Sequence, residues 1–118
     1  MDSLKDCPFC RIGAEEEGSR SILYEDEQVL AFEDIRPQAP LHVLIVPRRH
    51  IRNLLELEEG DASLMGRLVL VANGIARNKK VDLSGFRLVV NCNSHGGQTV
   101  DHLHLHLLAG RRMGWPPG

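Results

Sequence analysis

Aromatic residues are scarce in this 118-residue chain, with one tryptophan, one tyrosine and three phenylalanines. Each one near a polar motif therefore stands out. A basic excess is missing too, since 14 lysines and arginines face 16 aspartates and glutamates for a formal charge of -2. Without a positive field a nucleic-acid polymer is not the expected partner, and a small ligand is. Long apolar runs are absent: the longest greasy stretch, Leu64 to Ala76, is broken by Gly66, Arg67, Asn73 and Gly74. The opening residues, MDSLKDCPFCR, lack the apolar core of a signal peptide, so a cytoplasmic protein with no membrane attachment is expected. Three cysteines without an export signal argue against a disulfide framework and leave metal binding or inert thiols. Repeats and low-complexity segments are lacking, and the length suits a single domain over residues 1–118.

What the chain does have is concentrated in Gly96 to Leu108, where His102, His104 and His106 alternate with Leu103, Leu105 and Leu107. In an extended strand alternate side chains share a face, so three imidazoles about 6.5 Å apart would line one side and the leucines the other. A helix would scatter them. One histidine in such a place is most often a satisfied core residue. Three at period two, beside the polar, glycine-rich approach Asn91 to Thr99, point to a functional site.

The remaining elements are expected as follows. Asp6 caps a short helix from Cys7 to Gly13, with Pro8 in its first turn. A charged loop, Glu15 to Arg20, leads to a hairpin of Ile22 to Glu25 and Gln28 to Glu33. His42 to Pro47 reads as a central strand covered on both faces. The basic group Arg48, Arg49, His50 and Arg52 reads mainly as a solvated strand exit. Asp61 caps a long helix whose Leu64, Leu68, Val71, Ala72, Ile75 and Ala76 form one buried face. Phe86 to Asn91 is another strand, and the paired glycines of the loop Asn93 to Gln98 suggest a tight turn whose backbone N–H groups approach a ligand. The tail, Arg111 to Gly118, ends Trp-Pro-Pro-Gly and can be neither helix nor central strand.

A neutral imidazole is a good nucleophile towards phosphorus near pH 7. His104, flanked on both sides, is the natural choice, and the chemistry would pass through a covalent phospho-histidine with no metal required. The rival is a catalytic metal centre held by histidines. His102 and His106 lie about 13 Å apart along a strand, too far to join His104 around one ion easily. Cys7 and Cys10 form a C-x-x-C pair that could be redox-active, part of a structural zinc site with two distant histidines, or inert. Structural zinc is the favoured reading, because no strand precedes the pair as a thioredoxin-like motif requires.

The run His102-Leu-His-Leu-His-Leu-Leu resembles the signature of the histidine triad (HIT) superfamily. Phe32-Glu-Asp-Ile-Arg-Pro-Gln-Ala-Pro, His42-Val-Leu-Ile-Val-Pro, Gly96-Gly-Gln-Thr-Val and Trp115-Pro-Pro-Gly resemble its Hint branch. The resemblance implies an α+β fold: a five-stranded antiparallel sheet with one long and one short helix, dimerising into ten strands, the tail 111–118 contributing to dimer and site. It implies binding of purine nucleoside monophosphates and hydrolysis of nucleoside 5'-phosphoramidates, with acyl adenylates as related substrates. On this likeness His104 is the nucleophile, His106 meets the phosphate and leaving group, and His102 and His42 support the proton network. Asn91, Gly97, Gln98 and Thr99 match the phosphate-binding segment, Asp34 the ribose-binding carboxylate, and Phe9, Ile12, Phe32 and Ile35 the walls of the base pocket, with Trp115 close by.

In members with an N-terminal C-x-x-C the resemblance implies a zinc site, here Cys7, Cys10, His50 and His102. Two departures stand out: Asp101, where an aromatic residue is common, and His95, where acidic or small residues are usual. A dinucleoside polyphosphate hydrolase and a nucleotide-binding module with incidental activity are the rival functions. Nucleotidyl transfer to a sugar phosphate is disfavoured, because its third triad position is usually glutamine and here it is His106.

Overall fold

A computed structural model describes residues 7–14 and 21–118. Asp6 and the segment from Glu15 to Arg20 lie outside the described residues. Helix α1 (Pro8–Gly13) has Cys7 at its N-cap, where the thiol sulfur accepts the Cys10 N–H at 3.4 Å. Strands β1 (Ile22–Glu25) and β2 (Val29–Glu33) form the expected hairpin. Asp26 fixes its turn, with Oδ1 accepting the N–H groups of Gln28 and Val29 at 2.7 and 2.8 Å. With β3 (Leu41–Pro47), β4 (Phe86–Val90) and β5 (Leu105–Ala109) they make an antiparallel sheet in the order β1-β2-β3-β5-β4.

Period-two alternation sorts side chains between the two faces. On one face Val29, Ala31, Val43, Ile45, Leu105 and Leu107 pack with Leu68, Val71, Ala72 and Ile75 of α2 (Ala62–Asn78). On the other, Leu30, Phe32, Leu44 and Val46 pack with Cys7 and with Phe9 and Ile12 of α1. Strand β3 is thus covered on both sides, as its unbroken apolar run predicts. Fully burying a leucine such as Leu107 contributes about 1.5–3 kcal/mol, so the leucines of the triad segment anchor it to the core. No helix of the described residues is long and apolar enough to cross a membrane.

Three expectations need correction. Helix α2 begins where predicted, but Asp61 does not cap it: its carboxylate turns back to the Glu58 N–H at 2.9 Å and to Arg49 at 2.5 Å, serving the 3-10 turn Glu59–Asp61. The glycine loop is not a simple turn. It contains a single helical turn, α3 (Asn93–Gly96), ended by Gly97 at φ +84°, where glycine carries no Cβ penalty.

The third correction concerns the histidines themselves. Strand β5 starts only at Leu105, so His106 lies in it while His102 and His104 lie on its approach. The β3–β5 ladder stops at Ile45 and Leu105. Beyond that point Pro47 has no N–H to give, its carbonyl is 2.8 Å from His102 Nε2, and the Leu103 N–H goes to the Ile51 carbonyl at 2.6 Å.

Candidate active site and metal cluster

The imidazoles gather on the α1 side of the sheet. Ring centroids are 4.9 Å apart for His50 and His102, 4.9 Å for His104 and His106, and 5.2 Å for His106 and His42. Phe9 sits edge-on to both His102 and His104, at 5.7 and 5.2 Å, and joins the two halves of the row.

Hydrogen-bond partners of fixed polarity set the tautomer of each ring. His102 Nε2 faces the Pro47 carbonyl, which only accepts, so Nε2 carries the proton and Nδ1 the lone pair. His104 Nδ1 faces the His102 carbonyl at 2.7 Å, so Nδ1 carries the proton and Nε2 the lone pair. His42 Nδ1 accepts the Gln38 N–H at 3.0 Å, which places its proton on Nε2, 2.9 Å from His106 Nδ1. His106 Nδ1 therefore accepts, and its proton sits on Nε2, a buried atom with no hydrogen-bond partner among the described residues. The row thus presents a lone pair on His104 beside a donor on His106.

These rings are neutral at pH 7. Burial lowers the pKa of His104 and of His42, and in both cases the nearby Asp34 carboxylate offsets part of the effect. Burial pushes His102 and His106 down to about 4, helped for His106 by the neighbouring His104 and His42.

Two loops frame the row. Asp34 lies between β2 and β3, with Oδ1 accepting the Arg36 N–H at 2.8 Å and Oδ2 3.5 Å from His42 Nε2. Opposite, the Gln98 amide joins three stretches of backbone: Nε2 donates to the Arg52 and Val100 carbonyls at 2.7 and 3.0 Å, and Oε1 accepts the Asn93 N–H at 2.9 Å. Both amide hydrogens of Gln98 are thus engaged within the protein, and its side chain shapes the loop. Asn91 is half-buried just past β4, and Thr99 is exposed beyond Gly97. Of the expected base-pocket group, Phe32 is fully buried, Phe9 and Ile12 nearly so, and Ile35 is 68% exposed. Trp115 is 83% exposed in the tail, which the Arg87 guanidinium holds through the Gly114 carbonyl at 2.7 Å. Asp101 and His95 are both exposed.

Some contributors carry no sequence signal. The Gln38 backbone N–H and the Pro47 carbonyl fix tautomers, yet neither depends on side-chain type. Asn53 was open to detection: buried, it accepts the Leu55 N–H at 2.9 Å as an N-cap and donates to Asn93 Oδ1 at 3.1 Å, tying a 3-10 turn to the glycine loop.

Cys7, Cys10, His50 and His102 come together although residues 10 and 102 are far apart in the chain, and their ligand atoms lie within 4.8 Å of one another. Such a group could hold a metal ion. Cys7 Sγ is 3.3 Å from His102 Nδ1, and Cys10 Sγ is 3.3 Å from His50 Nδ1 and 3.6 Å from His102 Nδ1. Without a cation, burial and the adjoining Cys7 push the Cys10 thiol up to about 12. A divalent ion would supply the charge that favours the thiolate. A second group, Asp34, His42 and His106, is also close enough to share an ion. There the tautomers oppose it: ligation through His42 Nε2 would move the proton to Nδ1, against the Gln38 N–H.

The residues from 15 to 113 match the model of the HIT domain family. An uncharacterized HIT-like protein of Synechococcus elongatus is 48% identical over 97 residues, covering 82% of this chain and 84% of that one. Another from Buchnera aphidicola is 44% identical over 92 residues, 78% and 82% of the two chains. Among solved structures, a HIT family hydrolase from Legionella pneumophila superposes with a TM-score of 0.91 at 46% identity, covering 96% of this chain and all of that one. A histidine triad protein from Clostridium difficile gives 0.88 at 42% identity, with 97% of each chain covered. With the sheet, the triad segment and the close relatives in agreement, the chain belongs to the HIT domain family.

Proposed function

We propose that the protein is a Hint-type hydrolase that cleaves the P–N bond of purine nucleoside 5'-phosphoramidates through a nucleotidyl-histidine intermediate. The observation that carries this reading is the pair of tautomers at the centre of the row: lone pair on His104 Nε2, proton on His106 Nε2. A binding module has no need of that opposition. His104 attacks phosphorus, and its Nδ1–H keeps the His102 carbonyl as partner while positive charge develops on the ring. His106 donates to the phosphate or the departing nitrogen. Full proton transfer to the amine draws on the linked His42–His106 pair, which is recharged from solvent. Water then attacks phosphorus, the bond to His104 Nε2 breaks to release the nucleoside monophosphate, and the proton lost by the water balances the one taken up by the amine.

In this reading Asp34 offers Oδ2 to the ribose, the α3–Gly97 segment with Asn91 and Thr99 receives the phosphate, and Phe9, Ile12, Phe32 and Ile35 bound the base. Trp115 stands where a second subunit would meet the site, in a homodimer joined at the β4 edge of the sheet. The compartment would be the cytoplasm. Cys7, Cys10, His50 and His102 would hold zinc, since a tetrahedral ion with bonds of about 2.3 Å to sulfur and 2.0–2.1 Å to nitrogen sets sulfur–nitrogen edges near 3.5 Å. The separations of 3.3, 3.3 and 3.6 Å fit. Zinc so bound cross-links α1 to the triad segment and leaves the reaction to the imidazoles.

The test is a side-by-side assay with an adenosine 5'-phosphoramidate and with diadenosine polyphosphates. Faster release of AMP from the first is expected. Faster turnover of the second would favour the dinucleoside polyphosphate reading, and turnover of neither, with AMP still bound, a nucleotide-binding module.

A further inference from the structure

The hydrogen bond that fixes the tautomer of His42 comes from one backbone N–H, that of Gln38, in an exposed loop between β2 and β3; the Asp34 carboxylate, 3.5 Å from Nε2, favours the same form from further off. Inside the loop Asp34 Oδ1 accepts the Arg36 N–H at 2.8 Å, and the Gln38 amide donates to the Arg36 carbonyl at 3.0 Å. These bonds shape the loop locally, and the Asp34 N–H fixes its start to the His42 carbonyl of β3 at 3.0 Å. The Gln38 end is held by the chain just past β5. Gly110 turns at φ +94°, and a Cβ there would lie 2.7 Å from Pro40 Cβ and 3.2 Å from Pro40 Cγ, so the absence of a side chain lets the tail run against the loop. The next residue, Arg111, then donates through its guanidinium to the Gln38 carbonyl at 3.0 Å and to the Arg112 carbonyl at 3.2 Å.

We infer that Arg111 is a positioning residue for the hydrolysis: by clamping the Gln38 carbonyl it holds the Gln38 N–H on His42 Nδ1 and so keeps the His106 Nε2 proton facing the substrate. The carbonyl and the N–H flank one α-carbon, so fixing the first constrains the second. Released, Gln38 can withdraw its N–H, and a neutral His42 is then free to carry its proton on Nδ1 instead. His42 Nε2 becomes an acceptor, His106 Nδ1 must supply the proton between the rings, and His106 Nε2 turns from donor to lone pair. A donor aimed at the reacting phosphate is lost. The consequence for rate rests on the hydrolase reading, while the tautomer does not.

The experiment compares the full chain with Arg111→Ala, Arg111→Lys and Arg112→Ala, by steady-state kinetics on an adenosine phosphoramidate and by NMR correlation of the imidazole nitrogens with their ring protons. Arg111→Ala should lower kcat about tenfold with KM within about twofold, and should convert His42 from a single Nε2–H form to a mixture. Arg111→Lys, which keeps a donor in reach, should restore most of both, and Arg112→Ala should match the parent. A single Nε2–H form of His42 in Arg111→Ala would overturn the positioning role, whatever the rate. A mixed tautomer with unchanged kcat would uphold the clamp and count against His106 as the substrate-facing donor, and so against the proposed chemistry. Equal melting temperatures across the four proteins exclude unfolding as the cause.

Discussion

The carbonyl oxygen of His102 lies 2.7 Å from His104 Nδ1 while the His102 ring reaches Cys7 Sγ at 3.3 Å, so one residue ties His104 to the cysteines by its backbone and its side chain at once. Substituting His102 keeps the carbonyl and removes only the ring. His104→Ala should therefore reduce turnover by about 10³-fold or more with AMP binding retained, and His102→Ala by far less. Calorimetric titration with AMP alongside kinetics checks both. Comparable losses in the two variants would mean that the ring of His102 takes part in chemistry.

Removing the metal should be felt as stability first. Protein purified without chelator is expected to hold about one zinc per chain by elemental analysis. Stripping it, or introducing Cys10→Ser, should lower Tm by at least about 5 °C, the shift that about 1 kcal/mol produces in a domain of this size. Metal-free protein with both thiols freely titratable would remove zinc from the account of Cys7, Cys10, His50 and His102.

How far the sequence revealed this arrangement depends on whether a feature is carried by side-chain pattern. Strand β3 was legible from its unbroken apolar run and the buried face of α2 from its helical period, and burial follows both. The opposition of leucines to histidines was legible for the same reason, and Leu105 and Leu107 do face α2. The start of β5 was not, because it depends on where a partner strand reaches a proline and on which ring takes that proline's carbonyl. The difference among the histidines was only half visible. Adjacency singled out His104, but the proton positions come from the Gln38 N–H and the carbonyls of Pro47 and His102, which any residue could supply. Asp61 misled because two turns compete for one carboxylate, and the nearer backbone N–H belongs to the 3-10 turn.

Acid should weaken the fold in two separable stages. His106 titrates at about 4 in the folded protein, mainly through burial, against about 6.5 when exposed. Between those values the unfolded chain binds more protons, so this contribution is complete above about pH 6.5 and is lost as pH falls towards 4. His42 is displaced in the same direction. Asp26 is different: the Tyr24 hydroxyl, with Arg67 and two backbone N–H groups, holds its carboxyl well below the usual carboxylate range. Its contribution is present above about pH 4 and is lost only at more acid pH. Urea unfolding measured from pH 8 to 4.5 should show a decline below pH 6.5 that His106→Gln makes shallower, the rest belonging to His102, His104 and His42. An unchanged slope in the variant would mean that His106 is not held neutral by the fold.

Gln98 offers the clearest separation of shape from contact. Its amide places two hydrogens on carbonyls and one oxygen on an N–H, so alanine and glutamate fail in different ways. Gln98→Ala leaves three backbone groups to water at a partly exposed site, a loss of about 1–2 kcal/mol. Gln98→Glu keeps the bond to the Asn93 N–H but sets a carboxylate oxygen against the Arg52 and Val100 carbonyls, so it should destabilise more than alanine despite being nearly isosteric. Nucleotide affinity should follow the same order, because the loop that carries Gly97 and Thr99 is held by those bonds. Denaturation midpoints and AMP dissociation constants for the two variants supply the check. If glutamate proves milder than alanine in stability, the loop is not held by donation from the amide; if AMP affinity drops equally in both while stability does not, Gln98 meets the ligand directly.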